Sequence, residues 1–196
     1  VRYSYVRPDI YLKYNVNGFL TLLQVMSELR INKLIYASSS SVYGDANEFP
    51  TNEKQKLSPL NLYGETKVIN EEIASIYNRF FKIHSFGLRF FTAYGSLGRP
   101  DMMISKSIKR IKNKETIYLY NNGKHSRDFT HVSDIVETIF ILSKKIKSHK
   151  GHELFNICSN KKIRLSFLIK SLEKNLKLKA KTQNVKKQKG DMLDTL

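Results

Sequence analysis

Apolar positions along the chain switch between the period of a helix and that of a strand. From Asp9 to about Arg30, Leu12, Val16, Phe19, Leu23 and Met26 recur at helical spacing, with Asp9 placed to cap the first turn. Lys33–Ala37 is a short apolar run that fits a buried strand, and it leads directly into Ser38, Ser39, Ser40 and Ser41. A polar loop containing Pro50 and Pro59 follows. From Tyr63 to about Lys82 the helical period returns, with Val68, Ile73, Ile76, Tyr77 and Phe80 on one side. Ile83–Phe91 is almost continuously apolar, as a parallel strand covered on both faces should be. This alternation predicts an α/β fold.

After Phe91 the rhythm changes. A loop over Gly95–Pro100 precedes a basic helix with Ile104, Ile108 and Ile111 on one side. A strand over Thr116–Tyr120 runs into Asn121-Asn122-Gly123, a turn signal. Helices are predicted over Ser133–Ser143 and Leu165–Leu176, with a short strand at Glu153–Ile157 between them. A boundary near Thr92 separates the regular units from a loop-rich second part.

The 196 residues, 41% of them hydrophobic, suffice for one sizeable domain. The longest apolar runs, Thr138–Leu142 and Ser85–Phe91, fall short of the roughly 20 residues a membrane span needs. Val1–Asp9 lacks the apolar core of a secretory signal, and the lone Cys158 excludes an internal disulfide; both fit a cytoplasmic protein. Valine stands first in place of methionine, and both ends read as cuts. The net charge of +17 raises the question of nucleic acid. Between Lys144 and Lys189 the only acids are Glu153 and Glu173, yet that stretch has few interleaved aromatics and no zinc, RRM or KH signature. A generic basic surface, aided by an anionic substrate, accounts for the charge, so no nucleic-acid partner is expected. His and Cys show no metal-ligand spacing, and no metal is expected.

The strongest chemical signal is a serine cluster at a strand's carboxyl end, followed by Tyr63-Gly64-Glu65-Thr66-Lys67. Tyr and Lys four apart share one face of a helix. An ammonium near the phenol would draw its pKa from about 10 toward neutrality and make Tyr63 a general base toward a sugar hydroxyl. Ser39 could share that hydroxyl in a relay. Alone, a Tyr and a Lys at this spacing also arise by chance on many helices.

The chain resembles the extended short-chain dehydrogenase/reductases, and among them the UDP-glucuronate 4-epimerases, over nearly its whole length. The matching stretches are VRYS (1–4), NVNG (15–18), YASSSSVYG (36–44), YGETK (63–67), LRFFTAYG (88–95), GRPDM (98–102), RDFTHVSDIVE (127–137) and KGDM (189–192), in the family's order. The resemblance implies a partial Rossmann-type parallel sheet with a smaller α/β substrate-binding region. Residues 1–92 would be the remainder of the NAD-binding domain and 93–196 the nucleotide-sugar region, with about 124–146 packing back on the first. It further implies that Tyr63 is the base, Lys67 its tuning residue and a holder of the nicotinamide ribose, and Ser39 the catalytic serine. Asn15 and Phe91 match NAD-contacting positions. Thr92 and Arg99 match the pair that addresses a sugar carboxylate, and Arg127 an arginine on the UDP diphosphate. Asp128, Phe129 and His131 fit packing around that diphosphate site. The plainer readings stay open: a solvated Arg99, an Arg127 paired with Asp128 or Asp134, an Asn15 that only satisfies backbone, and a Thr92 without a ligand.

Two departures choose among relatives. Similar dehydratases and decarboxylases place an acid just after the catalytic Ser/Thr, where this chain has Ser40 and Ser41, poor proton carriers and candidate substrate contacts. Galactose-type epimerases carry Asn where Thr92 stands and lack the GRPDM loop. Both favour NAD-dependent C4 epimerisation of UDP-glucuronate to UDP-galacturonate, feeding surface polysaccharide synthesis. A sibling epimerase or decarboxylase is the near alternative, and a non-catalytic binding remnant the distant one. The glycine-rich turn that cradles the NAD pyrophosphate in the family has no counterpart among the nine glycines, so weak NAD binding and no turnover are expected of this polypeptide alone. Sheet edges and apolar surface should be exposed. The resemblance also implies a homodimer through helices 9–30 and 63–82, with Leu22, Ile69 and Ile76 as candidates.

Overall fold

A computed structural model describes residues 2–46, 48–186 and 194–196. Its strands are β1 (Lys33–Ser39), β2 (His84–Phe90), β3 (Thr92–Tyr94), β4 (Thr116–Tyr120), β5 (Ser126–His131), β6 (His152–Ile157), β7 (Lys162–Arg164) and β8 (Lys181–Val185). Its α-helices are α1 (Pro8–Tyr11), α2 (Gly18–Glu28), α3 (Leu62–Phe81), α4 (Met103–Lys112), α5 (Val132–Lys145) and α6 (Leu165–Leu176). Val1 and the KGDM stretch lie outside the described residues.

The largely buried β2 takes the centre of a parallel sheet ordered β1-β2-β6. Gly87 leaves room for the side chains of its partners on the flanking strands, since a Cβ would stand 2.5 Å from the Tyr36 hydroxyl and 2.6 Å from Leu154. The third strand comes from beyond the expected boundary at residue 92. A parallel neighbour needs a long crossover, and α5 belongs to the one that returns the chain to β2. Ile135 and Leu142 of α5 pack with Phe86, Leu88 and Ile157 on one face of the sheet. Leu23, Met26, Tyr77 and Ile83 form the core on the α2–α3 side. Each such buried aliphatic side chain contributes about 1.5–3 kcal/mol.

The helix predicted over residues 9–30 runs unbroken from Pro8 to Glu28, but its middle is π-helical. Pro8 opens α1, a π-helical stretch covers Leu12–Asn17, and α2 resumes at Gly18. Asp9 does not cap: it lies inside the first turn, where its carboxylate clasps Arg7 at 2.7 and 3.0 Å. The wider π turn breaks the helical period, leaving Leu12 and Tyr14 exposed while Leu23 and Met26 are buried. In α3 the predicted apolar side divides. Ile73 and Tyr77 join the core, Val68 packs with Val42, Tyr43 and Phe91, and Ile76 and Phe80 face outward.

The second region forms around Ile111, Ile117, Leu119 and Ile169, where α4 and α6 cover the parallel pair β4–β8. Between the regions, β5 pairs with β3 in parallel and with β7 antiparallel. Strands β3, β5, β7 and β8 were not predicted, because they are short and largely polar, and pairing rather than apolar period defines them. The described C-terminal residues dock here: Asp194 bridges to Ser126, and the Leu196 carbonyl accepts the Thr51 N–H at 2.8 Å.

Candidate active site

The carboxyl end of β1 turns at once into a 3-10 turn over Ser40–Val42. Ser39 caps that turn, its Oγ accepting the Ser41 N–H at 3.1 Å. Ser40 and Ser41 are as buried as Ser39. Helix α3 begins beside them, capped by Asn61, whose Oδ1 accepts the Gly64 N–H at 2.9 Å. Gly64 permits the close approach: a Cβ would lie 2.7 Å from the Ser41 carbonyl oxygen and 2.8 Å from Pro59. Helix start and strand end thereby bring Tyr63 near Ser39, close enough for the serine side chain to favour the ionised phenol.

Lys67 lies one turn further along α3. Its Nζ stands 5.8 Å from the centre of the Tyr63 ring and donates to the Ala37 carbonyl at 3.0 Å. The expected fall of the Tyr63 pKa toward neutrality is not what these groups produce. Burial pushes the Tyr63 phenol above its ordinary value, and the nearby Ser39 pulls it only part of the way back. Burial likewise lowers the Lys67 pKa. The ammonium is engaged by backbone beside the ring and does not sit at the phenol oxygen, so loss of solvation dominates.

The other predicted residues spread outward from this pair. Asn15, in the π-helical stretch, donates to the Thr66 hydroxyl at 3.0 Å, and that hydroxyl donates to the Tyr63 carbonyl at 2.7 Å, tying this segment to the start of α3. Tyr11 meets the Tyr63 ring edge-on at 6.2 Å. Phe91 is buried with Val42 and Tyr43, and its N–H donates to the Ile157 carbonyl. Thr92 opens β3, half-buried opposite Phe129. Arg99 is exposed and forks onto Asp101 at 3.0 and 2.5 Å, yet its charge is felt at both Tyr63 and Tyr11. Arg127 is half-buried on β5, its Nη1 donating to the Ser126 carbonyl at 2.9 Å. The fully buried Asp128 carboxylate accepts from Ser159 N–H and Oγ, Lys161 N–H and Thr130 Oγ1 at 2.8–3.2 Å, joining β5 to the segment after β6.

Sequence reasoning passed over a buried ion pair directly behind the site. Arg89 of β2 forks onto Glu71 of α3, with Nε to Oε1 at 2.9 Å and Nη2 to Oε2 at 2.6 Å. Burial works against the charged guanidinium, but hydrogen bonds and charge from Glu71 outweigh it and raise the Arg89 pKa. The signal was legible: a single arginine inside an apolar strand demands a buried partner.

With this geometry in hand, similarity to known proteins places the chain. The sequence profile of the NAD dependent epimerase/dehydratase family matches residues 1–158. The chain belongs to that family. Among its relatives is uncharacterized protein MJ1055 of Methanocaldococcus jannaschii, 41% identical over 196 residues, covering all of this chain and 59% of that protein. UDP-glucuronate 4-epimerase 4 of Arabidopsis thaliana is 35% identical over 201 residues, covering 95% of this chain and 46% of its own length. The solved structure of MoeE5 in complex with UDP-glucuronic acid and NAD superposes with a TM-score of 0.91 at 30% identity, covering 98% of this chain and 64% of that one. The chain thus spans about half to two thirds of the length of these relatives.

NAD is the cofactor of the family, and the donor set here fits it. The ammonium of Lys67 has three donors and gives one to Ala37, leaving others for ribose hydroxyls. The Ser39–Tyr63 pair lies outside the carboxyl end of a parallel strand, where open α/β sheets take their ligands. Among the described residues no three His, Cys, Asp or Glu side chains gather as a metal site, and no helix is long and apolar enough to cross a membrane.

Proposed function

We propose that this chain carries the catalytic and sugar-binding portion of an NAD-dependent UDP-sugar 4-epimerase acting on UDP-glucuronate. The supporting observation is the placement of Tyr63 beside Ser39 at the strand end, with Lys67 one turn further along α3 and serines at 40 and 41 where elimination would need an acid. NAD, when bound, supplies a reversible hydride acceptor. Tyr63, relayed through Ser39, takes the proton of the sugar C4 hydroxyl and returns it after the 4-keto sugar has turned over. Lys67 orients the cofactor ribose, and Ser39 with the charge of Arg99 offsets part of the burial that raises the Tyr63 phenol. Asn15 braces the base through Thr66, while Phe91 and Thr92 form the floor on which cofactor and sugar meet. Arg127 takes the UDP diphosphate as a planar fork suited to phosphate.

The carboxylate of a glucuronate is β to the C4 ketone and leaves as carbon dioxide when its bond aligns with the carbonyl π system. Arg99 and Thr92 hold it out of that alignment, with Arg99 exchanging Asp101 for the sugar. We further propose a cytoplasmic homodimer serving surface polysaccharide synthesis. The outward Leu22 of α2 and Ile69 and Ile76 of α3 supply apolar surface for the dimer, and light scattering that finds only monomer would remove it.

The deciding experiment incubates the protein with UDP-glucuronate and NAD, alone and co-expressed with the N-terminal portion that the longer relatives carry. UDP-galacturonate in either arm supports the reading. Bound NAD with no product in both arms sinks it, and a pentose product would assign a decarboxylase.

A further inference from the structure

The buried polar groups behind the site form one connected chain. Arg89 is 2% exposed and stands opposite Ser38 in the β1–β2 pairing. Besides its fork onto Glu71, Nη1 donates to the Tyr43 hydroxyl at 2.7 Å and to the Glu53 carbonyl at 3.0 Å. The Ser38 hydroxyl donates to Glu71 Oε1 at 2.5 Å, and the Tyr43 hydroxyl donates to Asn156 Oδ1 at 2.8 Å. A purely apolar core could fill this space without the cost of burying two charges. What the charges provide is direction.

Three members, Glu71, Ser38 and Tyr43, lie beside the reacting set along the chain or one helical turn from it. Glu71 follows Lys67 by one helical turn and Tyr63 by two, so all three share one side of α3. Ser38 precedes Ser39, and Tyr43 closes the turn that holds Ser40 and Ser41. A two-bond fork resists both sliding and rotation, which a single bond or apolar packing does not. The Glu71 carboxylate therefore touches, directly or through Arg89, both elements whose relative placement decides whether the Ser39 and Tyr63 hydroxyls meet.

We propose that Glu71 and Arg89, with Ser38 and Tyr43, form a positioning clamp that holds α3 in register with the end of β1. The clamp rests on reading Ser39 and Tyr63 as partners, but its test needs no turnover. Tyrosines are labelled with carbon-13 at Cζ, and the Tyr63 resonance, which responds to hydrogen bonding of the phenol oxygen, is assigned by its loss in Tyr63→Phe. Ser39→Ala sets the reference shift. Ser38→Ala and Arg89→Lys should move the Tyr63 resonance in the same direction by a comparable amount, and Ser38→Ala should add nothing on top of Ser39→Ala. Ile117→Val, a packing change in the α4–α6 core, should lower stability and leave the resonance in place.

If Ser39→Ala moves the resonance while folded Ser38→Ala and Arg89→Lys proteins keep the wild-type position, the clamp is refuted and the hydroxyl pair stands. If Ser39→Ala has no effect, the pair itself is refuted and the clamp goes with it. Should Arg89→Lys not fold, Ser38→Ala, which removes one hydroxyl and keeps the ion pair, decides the matter.

Discussion

The two groups of candidate site residues are held differently. At the hydroxyl end, Ser39, Tyr63 and Lys67 are held from within: a capped turn, a capped helix start, a glycine that admits close approach, and an ion pair behind them. At the arginine end, Arg99 lies on an exposed loop and satisfies itself on Asp101 two residues away. Under the proposed function, reaction geometry would be supplied by the core, whereas recognition of the sugar would be left to a loop that must exchange one anion for another. Chemistry shared by a whole family belongs on the first kind of scaffold and substrate choice on the second.

If that contrast is right, the largest effect comes from Tyr63→Phe. In the arm co-expressed with the N-terminal portion, it should lower turnover of UDP-glucuronate by about 10²–10⁴-fold, the usual worth of a general base, with little change in the melting curve. Unaltered turnover would remove Tyr63 from the chemistry. Next is Arg89→Ala, which strands Glu71 in the interior and should cost about 3–5 kcal/mol of stability in a denaturant titration. A loss below about 1 kcal/mol would mean the pair is solvated like a surface one.

At the other end, Arg99→Ala should leave the melting curve as it is, because its ion pair with Asp101 is exposed. It should lower kcat/KM for the carboxylated sugar by about 10- to 100-fold, the worth of a charged hydrogen bond, and spare an uncharged UDP-hexose. Equal losses on both sugars would contradict a role in reading the carboxylate. Thr92→Val should raise the share of decarboxylated product, and unchanged carbon dioxide release would end that assignment.

The smallest effect separates the interior from the surface by pH. Burial raises the phenols of Tyr36, Tyr43 and Tyr63. The unfolded chain releases these protons near pH 10 while the folded chain keeps them, so their contribution is intact below about pH 10 and lost as pH rises above it. Tyr36 finds no hydrogen-bond partner among the described residues, so Tyr36→Phe should keep or slightly raise stability at neutral pH and flatten the alkaline loss. An alkaline slope as steep as wild type would show that Tyr36 already ionises freely in the fold.

Much of this arrangement could be read along the chain. The periods of residues 33–37, 63–82 and 83–91 located the sheet and its covering helix, since burial on one side or both leaves a repeat in the sequence. The spacing of Tyr63 and Lys67 on one helix face follows from helix geometry alone. Three things did not follow. The third strand of the sheet lies beyond the apparent boundary at residue 92, because strand pairing depends on where the chain returns and not on local period. The Tyr63 phenol is raised and not lowered, because burial and the place of the Lys67 ammonium are three-dimensional quantities. Arg89 and Glu71, 18 residues apart, became partners only when β2 and α3 packed together. Local pattern determined which elements form and which side chains they present; the depth of each polar group, and what it must touch to remain there, was decided by the packing of elements distant in sequence.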